Sequence, residues 1–142
     1  MDVRIIRVGP GDAALLDRVD DDIFDHVIDP GLLADYLNAP GHLMVVAVAD
    51  GRVVGQARAI LTRQPDAPLS LYVDNLGVAE ARRREGIAGR LLDELVAWGQ
   101  TQGCAVAWVA TETDNGPARA FYQGRGATED LIAYYTYEID AK

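Results

Sequence analysis

The amino-acid sequence predicts an α/β fold in which helices cover both faces of a mixed β-sheet. An amphipathic helix is indicated by apolar residues spaced four, four and three apart, at Ile87, Leu91, Leu95 and Trp98. A hairpin is indicated by two strand-like runs on either side of Asp50-Gly51. Strand and helix signals follow one another along 142 residues, a length at which we expect a single domain, 1–142.

Each element has its own local signal. Pro10-Gly11-Asp12 and Asp29-Pro30 supply turns and N-caps for two short helices. Gly103 ends the amphipathic helix, and the apolar run after it is typical of a buried strand. In chain order we expect a strand at Val3–Val8, a helix at Ala13–Val19, a helix after Pro30, strands at Leu43–Ala49, Val53–Ile60 and Leu69–Val78, a helix at Gly86–Gln102, a strand at Cys104–Ala110, a helix at Pro117–Gln123, and a strand pair within Ala127–Ile139.

Composition and charge exclude several classes of protein. The longest apolar run, Leu43–Ala49, is too short for the roughly 20 residues of a membrane span, and no secretory signal is visible. A single cysteine, Cys104, allows no internal disulfide and fits a reducing cytoplasm. The 22 acidic and 13 basic residues give a net charge of −9, which argues against nucleic-acid binding. The same charge suits cationic partners, although solubility alone would also explain it.

A glycine-containing turn between a strand and a helix predicts an anion site. The strand ending at Val78 leads into Arg82-Arg83-Arg84-Glu85-Gly86-Ile87-Ala88-Gly89-Arg90, where small residues open the N-terminus of the amphipathic helix. Unpaired N–H groups and the helix dipole attract a phosphate there, and the arginines add positive charge. Neither GxGxxG nor the Lys-Ser/Thr of a P-loop is present, so a pyrophosphate other than that of NAD or ATP is favoured. A solvated basic turn is the alternative.

Two motifs resemble those of the GNAT superfamily of acyl-CoA N-acyltransferases. Arg83-Arg84-Glu85-Gly86-Ile87-Ala88 fits the family pattern Gln/Arg-x-x-Gly-x-Gly/Ala. Asn115 through Ala127 is similar to Asn-x-x-Ala-x-x-Phe-Tyr-x-x-x-Gly-Phe, and departs from it at Ala127. The resemblance covers nearly the whole chain. It implies a mixed, mostly antiparallel sheet with two splayed strands, and acetyl-CoA as the cofactor, with no metal.

The resemblance also implies roles for individual residues. Tyr122 matches the general acid that protonates the leaving thiolate. From the residues alone, a core aromatic with its hydroxyl at the rim is the alternative. For the base we favour Glu112, then Asp114, with His26 as a third candidate. The end of the strand before the turn would pair with the cofactor's pantetheine, and one N–H there would hold the thioester carbonyl. The expected cofactor-binding residues are Leu76, Gly77, Val78, Arg83, Arg84, Glu85, Gly86, Ile87, Ala88, Gly89, Arg90 and Asn115.

The acceptor is expected to be a cationic small-molecule amine. Six aspartates lie within Asp17–Asp29, a region that walls the acceptor site in such folds, although a solvated helix face would look the same. Several stretches are similar to aminoglycoside 3-N-acetyltransferases, with Asn75 standing where that subfamily tends to have Asp. The expected acceptor contacts are Asp22, Asp25, His26, Asn75, Asp114, Tyr134 and Tyr135. The sequence leaves two alternatives open: a protein or peptide amine as the acceptor, and a non-catalytic acyl-CoA-binding module. It also leaves open whether the chain forms a homodimer.

Overall fold

A computed structural model describes residues 2–142 of the chain. It contains five strands, β1 (Arg4–Val8), β2 (His42–Ala49), β3 (Arg52–Thr62), β4 (Ser70–Val78) and β5 (Val106–Val109). Three α-helices are present, α1 (Pro30–Asn38), α2 (Ile87–Gln102) and α3 (Gly116–Gly124), with 3-10 helices at Pro10–Asp17 and Glu80–Arg82. The chain divides into two compact units, Met1–Val109 and Ala110–Lys142, here called the N-terminal and C-terminal units.

The N-terminal unit is built on a five-stranded sheet in the order β1-β2-β3-β4-β5. The first four strands pair antiparallel, and β5 pairs parallel to β4, so the sheet is mixed and mostly antiparallel as predicted. The β2–β3 hairpin turns at Asp50 and Gly51, whose φ angles of 51° and 74° are those of a type I′ turn. The hairpin predicted from Asp50-Gly51 is therefore confirmed.

The two faces of this sheet are covered by different parts of the N-terminal unit. Helix α2 lies on one face, where Leu91 and Leu95 are fully buried, and each contributes roughly 1.5–3 kcal/mol to stability. On β3, Gly55 faces α2, and its neighbour Gln56 points to the opposite face. There the Gln56 amide donates to the carbonyl of Ile23, so the segment that leads into α1 covers the second face.

Strand β5 corrects one prediction. The run Cys104–Ala110 was expected to be a buried strand, but only Val106–Val109 is a strand, and Val106 and Trp108 are 57% and 46% exposed. The reason is its position, since β5 is the edge of the sheet and pairs through only four residues. Cys104 follows the C-cap of α2, Gly103, and its N–H donates to the carbonyl of Gly99.

The predicted strand pair within Ala127–Ile139 does not form, and residues 127–142 contain no helix or strand. The C-terminal unit has α3 as its single regular element among the described residues, so these β-prone residues have no ladder to join within it. The first predicted helix also differs, because Ala13–Val19 lies largely in the 3-10 helix Pro10–Asp17. The Gly9 N–H donates to Asp12 there, so Gly9, and not Asp12, occupies the N-cap.

Candidate active site

The turn between β4 and α2 has the backbone geometry of an anion site. Arg84 and Gly86 both have positive φ angles, of 68° and 77°. Gly86 is the N-cap of α2 and has no side chain that could cap the helix, so the N–H groups of the first turn lack a capping acceptor within residues 2–142. A left-handed residue beside a helix start turns successive N–H groups toward one concavity, where an anion is stabilised.

The arginines of this turn differ in what they contact. The Arg82 guanidinium lies 3.8 Å from an Asp50 carboxylate oxygen and 3.5 Å from one of Glu85. Arg90 donates to the carbonyl of Val3 at 3.0 Å. Arg83 and Arg84 are exposed, and within residues 2–142 neither forms an ion pair. These two side chains are therefore available to bind phosphate oxygens.

Strand β4 separates from β5 before it ends. The ladder between them runs from Ser70 to Val73, and the following residues of β4 pair with β3 alone. A register shift in the β3–β4 ladder, between Arg58 and Ala59, occurs at the same level. Bulges increase the local twist of a strand, which accounts for the splay beginning there. Asn75, Leu76, Gly77 and Val78 thus present a backbone edge that no strand of the described chain occupies, as the sequence resemblance implied.

A buried glutamine connects the unpaired end of β4 to the segment around Ile23. Gln56, fully buried in β3, donates from Nε2 to the Ile23 carbonyl at 3.1 Å and to Asn75 Oδ1 at 2.6 Å. The Asn75 amide in turn donates to Asp25 at 3.5 Å. Gly77 of β4 packs directly against the same segment. A Cβ at this position would lie 2.6 Å from the Ile23 carbonyl oxygen, so only glycine fits without a shift. Gln56 was not predicted as a site residue, and one polar residue in an apolar strand is the signal that indicates it.

The acidic segment Asp17–Asp29 divides into structural and free carboxylates. Asp22, predicted as an acceptor contact, accepts a hydrogen bond from the Glu80 N–H at 2.8 Å and so anchors the turn after β4. Asp20 pairs with Arg52, and Asp29 caps α1 by accepting from Leu32 N–H. Three carboxylates form no ion pair within residues 2–142, namely Asp17, Asp21 and Asp25. Together with His26 they line a cavity of about 460 Å³.

A second cavity, of about 380 Å³, lies next to the first and shares Phe24–Ile28 as a wall. Its lining is largely apolar, with one guanidinium, that of Arg58, and one phenol, that of Tyr36. Burial, and after it the Asp74 carboxylate, raise the pKa of Tyr36 to about 12, whereas Arg58 lowers it. The Tyr36 hydroxyl therefore holds its proton at neutral pH. Neither Arg58 nor Tyr36 is among the site residues that the sequence predicts.

The remaining predicted residues belong to the C-terminal unit. Tyr122 lies on α3 with its ring edge-on to Phe121, and burial raises the pKa of its phenol. Asn115 is the N-cap of α3, where its Oδ1 accepts from the Ala118 N–H at 3.2 Å. Glu112 precedes it in the loop, and its carbonyl accepts from the Asn115 N–H. The same unit contains Asp114, Tyr134 and Tyr135, and each of the two tyrosines is 83% exposed.

Comparison with known families identifies the fold. A profile of the family described as "Acetyltransferase (GNAT) family" matches residues 14–127. The chain belongs to the GNAT acetyltransferase family. It is accordingly an acyl-CoA N-acetyltransferase, and its cofactor is acetyl-CoA. A search of curated protein sequences finds no match.

Solved structures show the same GNAT fold. The aminoglycoside acetyltransferase meta-AAC0020, from an uncultured soil metagenomic sample, was solved in complex with sisomicin. It superposes with a TM-score of 0.85 at 18% identity, over 97% of each chain. The aminoglycoside N-acetyltransferase AAC(6')-Iy in complex with CoA has a TM-score of 0.75 at 21% identity, over 97% of this chain and 96% of that one.

The residues of the N-terminal unit fit the cofactor of a GNAT enzyme. The left-handed residues at Arg84 and Gly86 and the uncapped start of α2 suit a pyrophosphate, and space is open at Gly86, where a Cβ would meet nothing within 4 Å. The unpaired edge of β4 offers N–H and C=O groups to an amide-containing arm. When bound, acetyl-CoA supplies the activated acetyl thioester.

The described part of the chain contains neither a candidate metal site nor a candidate membrane-spanning helix. Residues 2–142 contain no cluster of three or more His, Cys, Asp or Glu side chains arranged to hold a metal ion. None of the helices formed by these residues has both the length and the apolar character that crossing a bilayer requires.

Proposed function

We propose that this GNAT enzyme acetylates an amine of a cationic small molecule, and that the acceptor is an aminoglycoside. The observation that carries the proposal is the cavity of about 460 Å³ lined by Asp17, Asp21 and Asp25. Its size is in the range of small-molecule sites. Ammonium groups that leave water need carboxylates as partners, and these three have no cation of their own among residues 2–142.

Structural neighbours support this choice of acceptor. Meta-AAC0020 binds sisomicin, and AAC(6')-Iy was solved with a bisubstrate analogue, CoA-S-monomethyl-acetylneamine. Both ligand names denote aminoglycoside chemistry on the same fold at 18% and 21% identity. The acidic cavity adds a reason that comes from this chain's own residues.

For the position of acetylation we propose the 3-N amine, following the sequence resemblance. Asn75 lacks the charge that the resembling subfamily tends to have at this point, but its amide lies 3.5 Å from the Asp25 carboxylate. Asp25 can therefore supply a negative charge beside Asn75. AAC(6')-Iy is named for a different position, so the product must be mapped directly.

For the chemistry we propose direct transfer, with Glu112 as base and Tyr122 as acid. Glu112 takes a proton from the acceptor ammonium, so that the free amine can attack the thioester carbonyl. As the new C–N bond forms and the C–S bond breaks, Tyr122 gives its proton to the leaving sulfur. The second proton that the nitrogen loses restores the Tyr122 phenol by way of solvent. The raised pKa of Tyr122 keeps that proton in place at neutral pH. Burial also raises the pKa of the Cys104 thiol, which makes this residue a poor acyl carrier.

We further propose that the two units act as one acetyltransferase domain. The family match runs from residue 14 to residue 127 and so crosses the boundary after Val109. The proposed cofactor-binding turn lies before that boundary, whereas Tyr122 and Glu112 lie after it. The homodimer and the cytoplasmic location stay predictions.

The proposal is tested by measuring CoA release with a panel of amines. The panel contains a gentamicin-type and a kanamycin-type aminoglycoside, spermidine, and a peptide with a free N-terminus. Variants Asp21→Asn and Asp25→Asn, which keep side-chain size, should raise KM for the aminoglycosides several-fold each, because each removes one ion pair. Acetylation of the peptide alone would show that the acceptor class is wrong.

A further inference from the structure

The second cavity of the N-terminal unit contains polar groups that the proposed acetyl transfer does not use. Within residues 2–142, the Nε of Arg58 and the hydroxyl of Tyr36 are buried and have no hydrogen-bond partner. Leaving a buried donor unpaired costs roughly 1–3 kcal/mol. Both side chains line the same cavity of about 380 Å³, so a ligand bound there could satisfy both.

Arg58 is held in place without a counterion. Its guanidinium lies 5.7 Å from the centre of the Phe24 ring, and within residues 2–142 no carboxylate lies within ion-pair distance. Strand pairing places Arg58 opposite Met44, which also lines the cavity. A guanidinium fixed on an aromatic face is a preformed fork for a carboxylate.

The rest of the lining limits the kind of carboxylate. Leu32, Leu33 and Met44 offer apolar surface, so the ligand needs an apolar body. Asp25 and Asp29 are exposed and line the same cavity. Asp29 accepts the Leu32 N–H, and within residues 2–142 the one hydrogen bond of the Asp25 carboxylate is the 3.5 Å contact with Asn75. A carboxylate in the ligand would be repelled by Asp25 unless the ligand also carries an ammonium group.

We infer that this cavity binds an apolar α-amino acid, with the carboxylate on Arg58 and Tyr36 and the ammonium group facing Asp25. The apolar side chain packs against Leu32, Leu33 and Met44. Because Tyr36 keeps its proton at neutral pH, its hydroxyl can donate to the carboxylate beside the guanidinium. This cavity shares Asp25 with the acidic cavity and differs from it by Arg58 and Tyr36, which only this cavity contains. Binding to it requires neither acetyl-CoA nor acetyl transfer.

The test is calorimetric titration of the whole chain, without acetyl-CoA, using L-phenylalanine, L-phenylalaninamide and 3-phenylpropionate. We expect saturable binding of phenylalanine. The amide, which lacks the carboxylate, and 3-phenylpropionate, which lacks the ammonium group, should each bind about tenfold or more weakly. Absence of phenylalanine binding at millimolar concentration, or equal binding of either analogue, would overturn the inference.

Variants locate the site. Arg58→Met keeps an unbranched apolar stem and removes the guanidinium, and should weaken phenylalanine binding about tenfold or more. Tyr36→Phe removes only the hydroxyl, and should weaken it several-fold with the fold unchanged by circular dichroism. Arg63→Gln, an exposed arginine outside the cavity, is the matched control and should bind as the wild type does. Unchanged binding in both folded cavity variants would contradict the assignment.

Discussion

Tyr122 is the residue on which the proposed proton transfer depends. Tyr122→Phe keeps the aromatic ring on α3 and removes the proton donor. We expect kcat to fall roughly 10²-fold with little change in KM, because the hydroxyl is needed after the acceptor has bound. Steady-state kinetics at saturating acetyl-CoA measure this. Normal turnover by the variant would mean that the sulfur takes its proton from another group.

The pH dependence of the same residue gives a separate prediction. Burial raises the pKa of Tyr122 above its ordinary value of 10.0, so the acid form persists to higher pH than that of a free phenol. Loss of the acid should therefore produce no falling limb in kcat below pH 10. A profile of kcat between pH 6 and 10, with protein stability checked at each point, measures this. A limb that falls near pH 8 in the wild type and is absent from Tyr122→Phe would show that the pKa of Tyr122 is not raised.

Gly77 is predicted to be necessary for packing as well as for cofactor binding. A Cβ at this position would lie 2.6 Å from the backbone oxygen of Ile23, so Gly77→Ala must displace the segment that carries Asp22 and Asp25. We expect a loss of roughly 1–3 kcal/mol in the free energy of unfolding. Gly11→Ala, where a Cβ meets nothing within 4 Å, is the control for urea denaturation. Equal stability of the two variants would show that the contact is not rigid.

At the scale of elements, the start of α2 allows a test that separates charge from backbone strain. Gly86 has a φ of 77°, which Asn and Asp tolerate better than other side chains. Gly86→Asn and Gly86→Asp therefore cause similar strain and differ in one negative charge. We expect the Asp variant to bind CoA about tenfold or more weakly than the Asn variant, as the charge lies at a phosphate site. Equal affinities by calorimetry would place the pyrophosphate elsewhere.

The elements also show how far sequence reasoning reached. The β2–β3 hairpin and α2 were predictable, because Asp50-Gly51 and the spacing of Ile87, Leu91 and Leu95 are local signals. The exposure of β5 was not, since an apolar run has the same composition at the edge and at the centre of a sheet. The strands expected after Ala127 failed for a similar reason, because β-propensity alone does not supply a partner strand.

The candidate site was predictable in its backbone and less so in its side chains. The anion-binding turn follows from Gly86 and its neighbours, which the family motif covers. The hydrogen bond that Asp22 accepts from the Glu80 N–H was not predictable, because nothing in the sequence distinguishes Asp22 from the other five aspartates of this segment. Gln56 and Arg58 acquire their roles only through the contacts that their strand makes with the segment around Ile23 and Phe24.

At the scale of the whole molecule, the net charge of −9 predicts a salt-dependent encounter with the acceptor. For a polycationic aminoglycoside, kcat/KM should fall several-fold as ionic strength rises from about 0.01 M to 0.15 M, because the Debye length shrinks from about 30 Å to 8 Å. A neutral sugar amine assayed above its amine pKa is the control. At saturating acetyl-CoA its kcat/KM should change little over the same range. Equal salt effects on both acceptors would show that long-range attraction does not contribute to kcat/KM.

The central claim is that this GNAT enzyme transfers acetyl to an aminoglycoside amine, and mapping the product tests it most directly. The enzyme is incubated with acetyl-CoA and a gentamicin-type aminoglycoside, with Glu112→Gln as the variant lacking the proposed base. The acetylated position is then assigned by NMR. We expect one acetyl group per molecule, on the 3-N amine, and a rate at least tenfold lower for the variant. Acetylation at another amine would correct the position alone. No acetylation of any aminoglycoside, with a peptide amine acetylated under the same conditions, would contradict the claim.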